Sequence, residues 1–191
     1  MSGKIIILSA PSGSGKSTII SRLVEDEALK LGFSVSATSR PPRGNEKHGR
    51  EYFFLTPEEF KVKVNNNEFV EWEEVYPGVC YGTLESEITR ITEGGYNLIM
   101  DVDVKGALNI KKRYGNRALT LFIMPPDIEI LEQRLRSRAT DSEETIRKRI
   151  QKADYEMAFA TEFDKVVVND KLNEAVDETL GIIKEFIREK E

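Results

Sequence analysis

The segment 5–18 carries a lysine and two hydroxyl side chains directly after a glycine-rich turn. Its sequence, IIILSAPSGSGKST, is typical of a buried strand, a glycine loop and a helix start. The backbone N–H groups of such a loop, together with the helix dipole, bind phosphate. We therefore predict a nucleoside triphosphate site in which Lys16 reaches the β- and γ-phosphates and Ser17 binds Mg²⁺. The loop residues expected to contact the nucleotide are Ala10, Pro11, Ser12, Gly13, Ser14, Gly15, Lys16, Ser17 and Thr18.

One position of this loop departs from the usual pattern, which is G-x-x-x-x-G-K followed by Ser or Thr. Ala10 stands at the first glycine, whereas Gly13, Gly15 and Lys16 occupy the positions of closest approach and charge. The alternative is an ordinary turn rich in glycine and serine. Such a turn does not explain a lysine and paired hydroxyls placed directly after the second glycine.

Two aspartates follow a second apolar run, at 97–100, and carboxylates are ligands that Mg²⁺ accepts. Ligands of open α/β sheets bind at the carboxyl ends of the strands, so Asp101 and Asp103 are expected to face the same crevice as the phosphate loop. We predict that Asp101 binds the metal and takes part in catalysis, and that Asp103 belongs to the substrate site. A solvated turn or a helix cap is the alternative for either residue.

The size and charge of the chain limit the classes of function. Its 191 residues suffice for one domain with its own core, and its net charge of −5 provides no basic field for nucleic acid. The sequence has neither an N-terminal signal pattern nor an apolar run that could span a membrane, and Cys80 is its single cysteine. We therefore predict a cytoplasmic protein that binds neither nucleic acid nor membrane. Its oligomeric state does not follow from the sequence.

The elements that must hold these residues alternate along the chain. Short apolar strands separated by helices predict an α/β fold, with a parallel sheet covered by helices on both faces. Within this pattern we predict a helix over 16–30, a strand over 33–36 and a turn-rich segment over 76–83. The segment 52–72 differs, because its pattern predicts a strand–helix–strand insert.

Several motifs, in order along the chain, resemble the guanylate kinase family. Beside the phosphate loop they are VSATSRPPRG at 35–44, EYFF at 51–54, FVEW at 69–72, YGT at 81–83, LIMDVD at 98–103 and VVND at 167–170. The resemblance extends over essentially the whole chain.

This resemblance implies a P-loop NTPase-type parallel sheet with a small mixed α/β insert that binds the nucleoside monophosphate, and a helical lid. It implies a core formed by 1–36, 94–130 and 160–191, a GMP-binding region at 37–93 and a lid at 131–159. The implied reaction is a Mg²⁺-dependent, in-line transfer of the γ-phosphoryl group from ATP to GMP, and also to dGMP. ATP and GMP would be its small-molecule partners.

The residues of the acceptor motifs suit a phosphate group. Arg40 and Arg43 are three residues apart on a proline-bearing loop and would form a fork for a dianionic phosphate. Arg40 would also take part in catalysis. Tyr52 and Tyr81 would each add a hydroxyl donor, although half-buried strand aromatics are the alternative for both.

Guanine presents N1–H and an amino group as hydrogen-bond donors and O6 as an acceptor. The smallest set of side chains that can recognise this edge is a carboxylate together with hydroxyls. Glu71, Ser36 and Thr83 supply this set, and in the family the matching positions contact the guanine. Thr83 stands where serine is common, which keeps the hydroxyl. The alternative for Glu71 is an exposed strand carboxylate.

Arginines near the end of the chain match the lid of the family. By resemblance Arg134, Arg138 and Arg149 would close over the transferring phosphoryl group, and Asn169 would lie near the adenine of ATP. Ser137 and Ala139 stand where the family has glycines, which leaves the hinge of the lid undefined. A solvated helix face laced with ion pairs is the alternative for the arginines, and a turn residue is the alternative for Asn169.

Three other functions fit parts of the pattern. The first is a kinase of the same architecture with another acceptor, which the set of Glu71, Ser36 and Thr83 disfavours. The second is a catalytically inactive guanylate-kinase-like module that binds proteins, which has no need for Lys16 and Ser17 together with lid arginines. The third is a GTP-hydrolysing switch, which the absence of an N-K-x-D element disfavours.

Overall fold

The computed structural model describes residues 3–137 and 142–189. Within these ranges nine strands form two sheets. The strands are β1 (Ile5–Ser9), β2 (Leu31–Phe33), β3 (Ala37–Thr38), β4 (Phe53–Phe54), β5 (Phe69–Tyr76), β6 (Val79–Leu84), β7 (Asn97–Asp101), β8 (Ala118–Met124) and β9 (Lys165–Val168). The helices are α1 (Lys16–Val24), α2 (Pro57–Asn65), α3 (Glu85–Glu93), α4 (Val104–Tyr114), α5 (Ile128–Ser137), α6 (Glu143–Met157) and α7 (Leu172–Arg188).

The larger sheet has the strand order β2-β7-β1-β8-β9, and all of its pairs are parallel. Its central strand β1 is entirely buried, as its continuous apolar sequence predicts. Ile6 and Leu8 pack on one face against α1 and α7, and Ile5 and Ile7 pack on the other against α3 and α4. The predicted helix-covered α/β sheet is therefore confirmed. None of the helices in the described ranges is both long and apolar enough to cross a membrane.

The second sheet is mixed and has the order β4-β3-β6-β5. Helix α2 packs on it through Phe60, which stacks on Phe69 with ring centroids 4.4 Å apart. A capping box forms at the start of α2. The Thr56 hydroxyl accepts from the Glu59 N–H at 3.1 Å, and the Glu59 carboxylate accepts from the Thr56 N–H at 2.7 Å.

Two predicted elements near the N-terminus are wrong in their bounds. The helix predicted over 16–30 ends at Val24, because Asp26 caps a separate 3₁₀ turn, Glu27–Leu29, by accepting from the Ala28 N–H. The strand predicted over 33–36 is in fact the junction between the sheets. Strand β2 ends at Phe33 in the parallel sheet, and β3 begins at Ala37 in the mixed one.

The segment predicted as turn-rich, 76–83, is mostly strand. Strands β5 and β6 pair in an antiparallel hairpin, and the turn is confined to two residues that include Gly78 at φ 78°. The glycines and the proline of this segment suggested a longer turn. The Val, Cys, Tyr and Thr side chains between them suit a strand once β5 is beside it.

Candidate active site

The phosphate loop connects the buried end of β1 to the first residue of α1. Gly13 and Gly15 have φ angles of 96° and 88°, a conformation that side-chain-bearing residues rarely adopt. A Cβ on Gly15 would collide with the amide of Asn169, and that amide donates to the Ser14 carbonyl at 2.7 Å. Asn169, which directly follows the last strand β9, thus ties the loop to the edge of the parallel sheet.

A cavity of about 370 Å³ lies in front of this loop. Lys16 enters it and forms an ion pair with Asp101 at the end of β7. Arg149 reaches the loop from α6, and its guanidinium donates to the Ser12 hydroxyl at 2.8 Å. The predicted residues Lys16, Asp101 and Arg149 therefore meet at one site, although they are 85 and 48 residues apart in sequence.

A second cavity, of about 390 Å³, lies on the other side of the same strand end. Ser36, Tyr52, Glu71 and Tyr81 of the predicted acceptor set line it. The segment 101–103, which includes Asp101 and Asp103, lines both cavities. A ligand in one cavity and a ligand in the other would therefore meet at this segment.

Glu71 lies within the second cavity opposite Thr83, its partner in the β5–β6 pairing. The Thr83 hydroxyl donates to Glu71 Oε1 at 2.7 Å. Burial raises the pKa of Glu71 to about 7, the charge of Asp103 adds to this rise, and the bond from Thr83 opposes it. Gly106 on α4 leaves room for the carboxylate, since a Cβ there would stand 3.3 Å from Glu71 Oε2.

Arg40 is buried among three of its neighbours. Its Nε donates to the Tyr81 hydroxyl at 3.1 Å, and the ring of Tyr52 lies 5.0 Å from its guanidinium carbon. Its two terminal nitrogens donate to Glu46 at 2.6 and 2.9 Å, and this pairing holds the pKa of Glu46 at about 2. The side chain of Arg43 is exposed. Arg40 therefore lies together with both tyrosines, and Arg43 is tied to the same carboxylate, because its backbone N–H donates to Glu46 Oε2 at 2.8 Å.

Two further predicted residues, Arg134 and Asn169, lie behind the phosphate loop. Arg134 donates to the carbonyls of Asn169 and Asp170, at 2.9 and 3.2 Å. Arg134 and Asn169 line a cavity of about 340 Å³ together with Gly13 and Gly15. Arg138 and Ala139 lie outside the described residues.

Three site residues escaped the sequence analysis. Lys152 and Glu156 follow Arg149 on one face of α6 and line the first cavity, with 3.7 Å between their charged atoms. The i, i+3, i+7 spacing from Arg149 was the available signal. Glu46 carried no signal, because a glutamate in a polar loop is indistinguishable from a solvated one until Arg40 is placed beside it.

The chain matches the family model described as guanylate kinase over residues 2–190. The chain belongs to the guanylate kinase family.

Relatives and a solved structure agree with this membership. A guanylate kinase from Bacteroides thetaiotaomicron is 58% identical over 190 residues, covering 100% of the chain and 93% of that protein. One from Porphyromonas gingivalis is 56% identical, covering 96% of the chain and 98% of the relative. The crystal structure of guanylate kinase from Anaplasma phagocytophilum aligns with a TM-score of 0.75 at 29% identity, covering 99% of the chain and 88% of that structure. The described part of the chain therefore has the P-loop NTPase-like architecture of guanylate kinases.

Proposed function

We propose that this guanylate kinase family member transfers the γ-phosphoryl group of ATP to GMP, and also to dGMP, giving ADP and the nucleoside diphosphate. The observation that carries the proposal is the common wall at 101–103. It separates a cavity that contains a phosphate loop from one that contains the Glu71–Thr83 pair. An inactive protein-binding module has no use for Lys16 and Arg149 in the first cavity.

ATP binds with its phosphates in the first cavity and its adenine behind the loop. The loop N–H groups hold the β- and γ-phosphates, and Lys16 leaves its partner Asp101 to contact them. Arg149 moves from Ser12 to the transferring group, where it is joined by Arg134 and Arg138. The cavity beside Asn169 receives the base.

The residues around the loop suit Mg²⁺. The Ser17 hydroxyl and the Asp101 carboxylate line one cavity and are the hard oxygen donors that this ion takes. In the described part of the chain, no cluster of three or more His, Cys, Asp or Glu side chains is arranged to hold a metal. Mg²⁺ characteristically binds through one or two protein ligands plus substrate phosphates, which matches this sparse set. When bound, the ion neutralises charge that develops on the phosphates.

GMP binds in the second cavity. Glu71 accepts hydrogen bonds from N1–H and the amino group of the guanine, with Ser36 and Thr83 completing the polar set. Arg40, Tyr52 and Tyr81 are already gathered at one end of this cavity and bind the phosphate, joined by Arg43 when the loop closes. Asp103 lies beside Glu71 on the wall shared with the donor site.

The reaction needs no general base. The second pKa of a nucleoside monophosphate is about 6, so its phosphate is already mostly a dianion at neutral pH. Catalysis then consists of aligning two phosphates and neutralising charge, which Lys16, Arg40 and the arginines of 131–159 provide. We assign 37–93 to the acceptor region, 131–159 to the lid and the remainder to the core, and we place the enzyme in the cytoplasm.

A coupled assay of ADP release tests the function. The protein is supplied with ATP and Mg²⁺ and with GMP, dGMP, AMP, CMP or UMP in turn. We expect rapid turnover with GMP and dGMP and far slower turnover with the other three. Absence of turnover with GMP, in folded protein that binds ATP, would contradict the proposal.

The pKa of Glu71 predicts a pH dependence that is specific to guanine. Guanine binding requires the ionised carboxylate of Glu71. Because burial raises the pKa of Glu71 to about 7, about a tenth of the enzyme has this side chain ionised at pH 6, and about nine-tenths has it ionised at pH 8. The KM for GMP is therefore expected to fall about tenfold from pH 6 to pH 8. AMP carries the same phosphate and serves as the control. Parallel changes in the KM values of GMP and AMP would exclude this assignment.

A further inference from the structure

The chain crosses between the two sheets at two places. It enters the mixed sheet over 34–36, between β2 and β3, and leaves it at 84–85, where β6 passes into α3. Helix α3 packs on the parallel sheet through Ile88 and Ile91. Two short crossings therefore join the mixed sheet to the parallel one, and their geometry helps to set where the mixed sheet stands.

Glu87, a buried carboxylate that no step of the proposed reaction uses, links the two crossings. It lies in the first turn of α3, just beyond the second crossing, and only 2% of it is exposed. Its Oε2 accepts from the Val35 N–H at 3.0 Å, in the middle of the first crossing. Its Oε1 accepts from Arg90 Nε at 2.5 Å, and the side chain of Arg90 is 63% exposed. Both carboxylate oxygens are thus engaged, one of them by the backbone of the other crossing.

The bond between Glu87 and Val35 is of a strong kind. A carboxylate is costly to bury unless it is paired and hydrogen-bonded, and a hydrogen bond to a charged acceptor is stronger than one to a neutral acceptor. The preceding N–H, that of Ser34, donates to the Ile99 carbonyl of β7 at 3.3 Å. Two successive N–H groups of the first crossing are therefore fixed, one by the parallel sheet and one by the helix that packs on it.

The crossing that is fixed in this way forms one wall of the acceptor cavity. Phe33, Ser34 and Ser36 line that cavity, whereas Glu87 does not. Neither Glu87 nor any residue of 33–36 lines the first cavity, which contains the phosphate loop. Loss of the bond to Val35 is therefore expected to disturb the acceptor site and to spare the donor site.

We propose that Glu87 is a positioning residue of the acceptor site, which fixes the backbone at Val35 and so holds the wall at 33–36 in the geometry that binds GMP. This inference rests on the proposed function, because it needs GMP in the second cavity. Glu87 acts through the backbone and does not touch the substrate. Without its carboxylate the crossing samples further conformations, and part of the binding free energy of GMP is spent on ordering it.

Steady-state kinetics of three variants test this role, with GMP and ATP varied in turn. In Glu87→Ala, the KM for GMP is expected to rise about tenfold, while the KM for ATP stays within about twofold of the wild type. Glu87→Gln keeps an oxygen that accepts from the Val35 N–H, so its KM for GMP should stay within about threefold. Glu87→Asp keeps the charge, but its shorter side chain does not reach Val35, so it should resemble Glu87→Ala.

Three results would overturn the inference. They are an unchanged KM for GMP in Glu87→Ala and Glu87→Asp, equal rises in the KM values of GMP and ATP, and a Glu87→Gln variant as impaired as Glu87→Asp. If Glu87→Ala does not fold, the contrast between the Gln and Asp variants decides. Wild-type turnover of GMP is measured first, so that failure of the proposed function is told apart from failure of this inference.

Two further variants on α3 are the controls. Arg90→Ala removes the exposed partner of Glu87 and keeps the bond to Val35, so the KM for GMP should stay within about threefold. Thr92→Ala deletes a buried hydroxyl that donates to the Ile88 carbonyl at 2.9 Å. It should lower the midpoint of thermal unfolding without raising the KM for GMP. If Glu87→Ala behaves like Thr92→Ala, the carboxylate contributes to stability alone and the inference fails.

Discussion

Replacing Lys16 with alanine is expected to lower kcat by about a thousandfold or more, while the KM for GMP changes by less than about threefold. Lys16 is the positively charged residue of the phosphate loop. Its ammonium group lies in the first cavity, where it pairs with Asp101. Under the proposed function, Lys16 contacts the transferring phosphoryl group from the first cavity and does not touch GMP. Steady-state kinetics with GMP as the varied substrate separate the two effects.

Lys152→Ala is the control for this prediction. Lys152 lines the same cavity, but its side chain is 61% exposed and pairs at 3.7 Å with Glu156 rather than with a residue of the loop. Its removal is expected to lower kcat by less than about tenfold. The fold should tolerate Lys16→Ala, because its partner Asp101 is one-third exposed and remains solvated. Near-wild-type turnover in Lys16→Ala would refute the role of the loop lysine.

Glu71→Gln is expected to reduce the preference for GMP over AMP, measured as the ratio of kcat/KM values, by about 1–3 kcal/mol, or roughly 5- to 150-fold. The amide replaces one acceptor with a donor, which then faces a donor of the guanine. AMP presents an unprotonated N1 and no 2-amino group, so it loses nothing by the change. An unchanged ratio would remove Glu71 from base recognition.

The thermal stability of Glu71→Gln, measured at two pH values, tests whether the substitution alters only the charge at this position. Because the pKa of Glu71 rises from 4.5 to about 7 on folding, the native state binds more protons than the unfolded state between these values. Stability from this group is present below pH 4.5 and is lost as the pH rises through 7. Glu71→Gln should therefore match the wild type at pH 4 and unfold at an equal or higher temperature at pH 8. Glu73→Gln, which alters an exposed carboxylate of the same cavity, is the matched variant and should leave the GMP preference within about threefold.

The donor site was the more predictable part of the molecule, because its signal is local. A strand, two glycines, a lysine and a helix start are contiguous, and the two glycines permit the positive φ angles that the loop adopts at Gly13 and Gly15. The acceptor site is assembled from β3, β5, β6 and the loops between them, so only the family resemblance brought Glu71 and Arg40 together in advance.

No pattern in the sequence predicted the contacts between side chains that are distant along the chain. Lys16 and Asp101 were each predicted to meet a ligand, and in the free protein they meet each other. Glu46 has a residue type common in any loop, and its pairing becomes visible only once the buried Arg40 is placed beside it. The segment 33–36 was misassigned for a similar reason, since local propensity does not reveal that a chain leaves one sheet for another.

The most direct measurement follows the labelled γ-phosphate of ATP into product. With Mg²⁺ and GMP present, the label is expected in GDP, its appearance should require GMP, and it should vanish in Lys16→Ala. Release of the label as inorganic phosphate at a rate independent of GMP would contradict transfer between the two cavities that meet at Asp101 and Asp103.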